Sequence, residues 1–523
     1  MTDFRQGRHA GVSLPLSAAT STMSWGIGEI GDLPWLCAWL DAAGLDLLQL
    51  LPVNEMAGGD HSPYSAIAAM AIDPIYVSLR DVDDHVALGG ETGLPAEDRR
   101  ALAELRRAPR VEFLAVRALK ERALRAAFDR FVEAEWRRGS ERARRLGAFI
   151  EAERWWLDDY ALFRAERARH GQAAWWTWEA PLARRDPAAL AEARAAHAAE
   201  ILFHTYAQWI ADTQWRAARG GAEPVDLVGD LPFMVGRDSA DVWARQHAFA
   251  FDATIGVPPD AFSETGQDWS LPPYRWDVFA REDDQWIRER ARRTADLFAG
   301  FRLDHVVGYY RTYVIPVDGS AHHFVPAAEP DQIAQGERLL KIFAAAGAAV
   351  VAEDLGTVPD FVRASLARLG LPGYRVLRWE RDWDAPGQPF RDPRHWPAIS
   401  VATSGTHDTE PLSEWWEAAP AGERSAALRL SASREAGAAP AAYTPAVRDA
   451  LLELLFASRS NLLILPMPDL FGWRDRINVP GTVGEQNWTY RLRWPVDRLA
   501  DLPEARERAR ALRAWAQRHG RAG

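Results

Sequence analysis

Three short acidic motifs, far apart in the chain, carry its most reactive side chains. They are Phe301-Arg302-Leu303-Asp304-His305, Ala352-Glu353-Asp354-Leu355-Gly356 and Gly405-Thr406-His407-Asp408. Each follows or ends a short apolar run that reads as a buried strand. Carboxylates at the exits of separate strands are how a parallel barrel assembles an active site, because such sites form at the C-terminal face of the strands. Two carboxylates facing one bond are the minimum equipment for breaking a glycosidic linkage.

The spacing inside each motif assigns expected roles. Residues i and i+2 of a strand share a face, so Arg302 and Asp304 should point together into the top of a barrel. A guanidinium at that range favours an ionised carboxylate, which a nucleophile must be. Glu353 ends the apolar run 348–352 and faces partial desolvation, which favours a protonated general acid. Asp354 should point the other way and orient the following loop. Asp408 is a third carboxylate, expected to bind sugar hydroxyls and to keep Glu353 protonated. His407 is expected to donate to a sugar hydroxyl, and no set of metal ligands assembles around it.

Eight runs read as strands by length, β-branched content and flanking breakers: 11–16, 46–53, 225–233, 300–306, 348–355, 373–379, 398–404 and 461–466. Their near-continuous apolar character marks strands buried on both faces. Helical segments lie between most of them, so the expected fold class is α/β, a (β/α)8 TIM barrel forming one catalytic unit over 1–523. The competitor is a doubly wound open sheet, suggested by Gly26-Ile27-Gly28-Glu29-Ile30-Gly31. No strand leads directly into that G-x-G-x-x-G match, so it reads as a glycine-rich loop without a dinucleotide. Residues 82–219 are rich in Ala, Arg, Glu and Leu and read as an inserted helical subdomain. Glu121 with Arg125 and Glu151 with Arg154 have the spacing of surface helix pairs. Residues 237–292 read as an irregular, loop-rich insertion of Pro and aromatics, with an active-site lid at 258–269.

Bulk properties narrow the partners. A hydrophobic fraction of 48% supports a large core, and a net charge of −11 argues against a nucleic-acid surface. Cys37 is the single cysteine and cannot form an intrachain disulfide, which fits a reducing, cytoplasmic compartment. The N-terminal residues lack the apolar stretch of a secretory signal, and no apolar run is long enough to span a membrane. Lys120 and Lys341 are the only lysines, and neither stands in a Walker motif. Tryptophan is abundant at 24 residues, and indole rings suit both helix packing and the apolar faces of sugars.

At these motifs the chain resembles the amylomaltase family, 4-α-glucanotransferases of glycoside hydrolase family 77. The resemblance also rests on Ser62-Pro63-Tyr64-Ser65, Gly229-Asp230-Leu231-Pro232, Asp238-Ser239-Ala240-Asp241-Val242-Trp243-Ala244 and Tyr274-Arg275-Trp276. The lid segment 258–269, Arg476-Ile477-Asn478-Val479-Pro480-Gly481-Thr482 and Asn487-Trp488 complete it. The resemblance implies Asp304 as nucleophile, Glu353 as acid/base and Asp408 as the carboxylate that grips the sugar. It implies that Arg302, His407, Asp230 and Ser62 line the substrate site and that Tyr64 stacks on the sugar. Asp260 and Glu264 would belong to the covering loop, and Trp269 to the acceptor side. The implied reaction is retaining transfer of α-1,4-glucan segments between malto-oligosaccharides, without metal or organic cofactor. The chain departs from the family pattern at Thr409-Glu410-Pro411, at Pro468-Asp469 and at Ala71-Ile72-Asp73-Pro74.

Two other readings use the same residues. An α-glucan hydrolase would differ only in letting water reach the intermediate. A catalytically weak glycan-binding protein would keep the sugar contacts and lose turnover.

Overall fold

The computed structural model describes residues 6–259, 265–431, 439–482 and 484–521. Twelve strands run along the described chain: β1 (His9–Leu14), β2 (Leu47–Leu50), β3 (Asp226–Leu231), β4 (Ala253–Val257), β5 (Gln267–Asp268) and β6 (Gly300–Leu303), then β7 (Thr312–Pro316), β8 (His323–Val325), β9 (Ala349–Ala352), β10 (Gly373–Val376), β11 (Ser400–Thr403) and β12 (Leu462–Pro466). Eight of them close a parallel barrel in the order β1-β12-β11-β10-β9-β6-β3-β2. These eight are the runs expected from sequence. The fold is an α/β TIM barrel.

The apolar runs are explained by burial on both faces. Leu47, Val228, Val351, Tyr374, Val401, Leu462 and Ile464 fill the barrel interior. Fully burying a Val, Leu or Ile side chain contributes about 1.5–3 kcal/mol, so this layer holds the ring closed. Gly11 lets β1 approach β2, because a Cβ there would come within 2.2 Å of the Leu47 carbonyl oxygen.

Long helices lie between β2 and β3, among them Phe113–Ala134, Glu141–Arg169 and Ala198–Gly221. Lys120, fully buried on the first of these, ties it to the rest. Its Nζ donates to the carbonyls of Ile75 (2.7 Å) and Val77 (2.9 Å) and pairs with Glu29 at 2.7 Å. The surface pairs Glu121–Arg125 (3.0 Å) and Glu151–Arg154 (2.6 Å) lie on exposed faces. The glycine-rich loop 26–31 is packed tightly: a Cβ on Gly28 would meet the Leu16 carbonyl oxygen at 1.9 Å. Glu29 and Asp32 cap its turn reciprocally.

Segment 237–292 is more regular than expected. It contains β4, β5 and the short helix Trp276–Arg281, and the helix Gln285–Leu297 begins in it. β4 and β5 join β7 and β8 in an antiparallel sheet of order β5-β4-β7-β8. β5 pairs with β4 inside the segment, whereas β4 finds its other partner outside it, Ala253 facing Pro316 of β7. No described helix is long and apolar enough to cross a membrane.

Candidate active site

The site begins with three neighbouring strands. In the barrel register Asp230 of β3 faces Arg302 of β6, and Leu303 faces Ala352 of β9. Asp304 and Glu353 are therefore the next residues out at the C-terminal ends of adjacent strands. Their backbones continue the ladder, with Asp304 N–H donating to Leu231 (3.1 Å) and Glu353 N–H to Leu303 (3.0 Å).

Arg302 organises the charges. Its guanidinium lies 2.8 Å from Asp230, 2.9 Å from Asp304 and 3.9 Å from Glu353. Strand alternation puts Arg302 and Asp304 on one face, as expected. One buried cation thus serves three carboxyl groups, a balance that disfavours full ionisation of all three. Glu353 and Asp230 share the difference. Burial pushes its carboxyl up to about 7 against the pull of Arg302, with Asp304 and Asp354 adding to the rise. Asp230 is also raised, by burial first, with Arg302 opposing. Its second oxygen accepts the Tyr64 hydroxyl at 2.7 Å.

Two backbone N–H groups hold the Glu353 carboxyl: His305 donates to Oε2 at 2.8 Å and Leu355 to Oε1 at 3.2 Å. Asp354 turns away, as strand alternation requires. It accepts from Tyr374 N–H at 2.6 Å and thereby seals the short pairing between β9 and β10.

Asp408 approaches from the loop after β11. Its Oδ1 accepts from Asn478 at 2.7 Å, and its Oδ2 lies 3.3 Å from His407 Nε2. Burial raises this carboxyl, but His407, Asn478 and Arg302 more than offset that and hold it down at about 2. Its side chain keeps 44% exposure, so an ionised acceptor faces the cleft. The charge of Asp408 also raises His407, although burial opposes. The neighbours that lift Glu353 are Asp304 and Asp354, so the expectation that Asp408 keeps Glu353 protonated gives way to these closer groups.

Aromatic rings line this side. Tyr64 stacks on His407 at 5.3 Å between centroids, and Trp488 packs against both rings at 5.7 and 5.6 Å. Trp269 sets its edge against His305 at 4.8 Å and so joins the wall beside Asp304. Ser62 sits one step back: its hydroxyl accepts from Tyr64 N–H at 3.3 Å and shapes the turn that presents Tyr64. Asp260 and Glu264 lie outside the described residues.

The departures from the family pattern have local partners. Thr409 closes its own turn onto Thr406 at 3.0 Å, and Glu410 pairs with Arg378 at 2.5 Å. Asp469 accepts from Ser404 (2.6 Å) and Leu412 N–H (2.8 Å), while Asp73 pairs with Arg117 at 2.7 Å. Sequence reasoning assigned no role to His305, Asn478 or Trp488. Each stood inside a quoted motif, but only the fold brings them onto Glu353, Asp408 and Tyr64.

The chain has relatives among known proteins. The family model described as 4-alpha-glucanotransferase matches residues 14–497. A 4-alpha-glucanotransferase of Thermus thermophilus is 35% identical over 497 residues, covering 90% of this chain and 92% of that protein. One of Chlamydia pneumoniae is 31% identical over 506 residues, covering 94% and 92%. The solved amylomaltase from Streptococcus agalactiae, in complex with acarbose, superposes with a TM-score of 0.82 at 26% identity, covering 99% of this chain and all of that one. The chain belongs to the 4-alpha-glucanotransferase family.

Proposed function

We propose that the enzyme moves α-1,4-glucan segments between malto-oligosaccharides by a retaining double displacement through a covalent glycosyl-enzyme on Asp304. The observation that carries this reading is the pair of adjacent carboxyl groups on one guanidinium, Asp304 at 2.9 Å and Glu353 at 3.9 Å, with Glu353 pushed up to about 7. In the first step Asp304 attacks the anomeric carbon while Glu353 gives its proton to the departing glycosidic oxygen. In the second, the 4-hydroxyl of an acceptor glucan attacks that carbon, Glu353 takes the hydroxyl proton and Asp304 leaves. Covalent catalysis splits one hard displacement into two easier ones. Asp408, His407, Asp230 and Tyr64 grip the sugar whose bond breaks, and Trp269 holds the acceptor.

The chain is read as one catalytic barrel, with 82–219 a helical insertion and 237–292 the insertion that carries the acceptor-side wall. Donor and acceptor are both α-1,4-glucans, and acarbose, which the streptococcal amylomaltase binds, is expected to bind at this site.

The test is incubation with maltotriose and chromatography of the products. Transfer gives a ladder of longer and shorter glucans. Shorter sugars alone would mean hydrolysis, and unchanged maltotriose would mean a binder.

A further inference from the structure

His305 follows Asp304 directly and holds a backbone φ of 45°, the left-handed region that non-glycine residues seldom occupy. That conformation has a consequence at the site. The His305 N–H donates to Glu353 Oε2 at 2.8 Å, while the backbone one residue earlier continues the strand ladder into Leu231. Both flanks are anchored, Asp304 N–H on Leu231 and Val306 N–H on the Glu353 carbonyl at 3.1 Å, so a right-handed or extended His305 could be fitted only by counter-rotating the 304–305 peptide, which takes this N–H off the carboxyl. The ring is clamped on three sides. The edge of Trp269 lies 4.8 Å away, Phe233 lies 5.7 Å away, and Gly308 leaves room beneath, since a Cβ there would come within 2.9 Å of the imidazole. Burial lowers the imidazole to about 4, so it is neutral near pH 7 and adds no charge beside Asp304. Trp269 is itself fixed to the antiparallel sheet, its N–H donating to Ile255 of β4 at 2.9 Å.

We propose that His305 is a positioning residue for glucan transfer: its left-handed backbone lets the anchored chain turn while its N–H stays on the Glu353 carboxyl, and Trp269, held by the antiparallel sheet, helps Phe233 and Gly308 clamp the ring in that conformation. This rests on Glu353 being the acid/base. The N–H stabilises the ionised carboxylate, so its loss leaves Glu353 protonated to higher pH. The other groups that face Glu353 are Arg302 and Asp304 from β6 and its exit, Asp354 from β9 and Tyr374 from β10. None of them changes in the variants that test the idea.

Two variants separate backbone from ring. His305→Gly and His305→Ala both remove the imidazole, but only glycine adopts the left-handed region at no steric cost. The measurement is the pH profile of kcat/KM on maltotriose. The basic limb of His305→Ala should lie above that of His305→Gly by about 0.5 unit or more. Coincident limbs, or a higher limb for the glycine variant, would overturn the proposal. Retained turnover of α-glucosyl fluoride, which needs little protonation, shows that each site is folded. If the alanine variant does not fold, His305→Asn against His305→Ser makes the same comparison, because asparagine tolerates the left-handed region. Glu353→Gln separates the two layers of argument. A basic limb that persists in that variant, measured on the fluoride, defeats the acid/base reading itself. A limb that disappears there while the His305 pair coincides defeats only the positioning role.

Discussion

Arg302 explains why this site can hold so many carboxyl groups. Removing one partner of a buried ion pair leaves an uncompensated charge, which is why the arrangement is held so tightly between Asp230 and Asp304. Part of the cost falls on Glu353, and it carries a sign that can be measured. Its folded value of about 7 stands above the ordinary 4.5, so the folded state binds this proton more tightly than the unfolded chain. The associated stability is fully present below pH 4.5 and is lost as pH rises through 7. Glu353→Gln cannot ionise. The stability of this variant relative to the wild type should therefore grow by on the order of 3 kcal/mol between pH 4 and pH 8, given about 1.4 kcal/mol per unit. Urea unfolding at both pH values measures it, and a pH-independent difference would show that Glu353 is not raised. The i, i+2 spacing in the sequence announced the Arg302–Asp304 face. It did not announce φ at His305, because the groups packed against its ring, Trp269, Phe233 and Gly308, lie near it only after folding.

Two kinds of element surround the candidate catalytic residues, and they differ in how far sequence foretells them. The barrel strands were legible because burial on both faces writes a continuous apolar run. The antiparallel sheet was not. β5 has two residues, β8 is largely exposed, and β4 finds its partner some 60 residues away in β7. This sheet carries Trp269, and transfer and hydrolysis should diverge there. A transferase must keep water from its glycosyl-enzyme until a glucan arrives, and an aromatic wall does so by exclusion while holding the acceptor. Trp269→Ala should raise the share of hydrolysis severalfold at fixed maltotriose, read as reducing ends released per glucan transferred. A constant ratio with both rates falling would reduce Trp269 to packing. The helices between β2 and β3 depend on a different contact. Lys120→Met leaves Glu29 buried with only its longer contact to Arg80 at 3.4 Å and should cost about 3 kcal/mol in chemical unfolding. Burial already lowers Lys120 and raises Glu29, each in the direction that opposes ionisation. Lys120→Met combined with Glu29→Gln should recover much of the loss. If the double variant is as unstable as the single, the carbonyl contacts to Ile75 and Val77 carry the stability and the ion pair does not.

Across the whole molecule, the barrel supplies what no single element can: carboxyl groups from separate strand ends held at fixed distances on one face. Asp304 and Glu353 come from adjacent strands, and Asp408 comes from a loop two strands further round the ring. The long helices after β2 and the antiparallel sheet are additions to that frame, and the second of them reaches the reacting groups. The central claim is the covalent bond to Asp304, and it can be seen directly. Glu353→Gln incubated with α-glucosyl fluoride should form the glycosyl-enzyme readily and discharge it slowly, since the activated donor needs no acid and the acceptor lacks its base. Peptide mass spectrometry of the trapped protein should then find one glucosyl unit on the peptide containing Asp304, and none in the Glu353→Gln/Asp304→Asn double variant. A glucosyl unit on another residue, or rapid turnover by the double variant, would contradict the account.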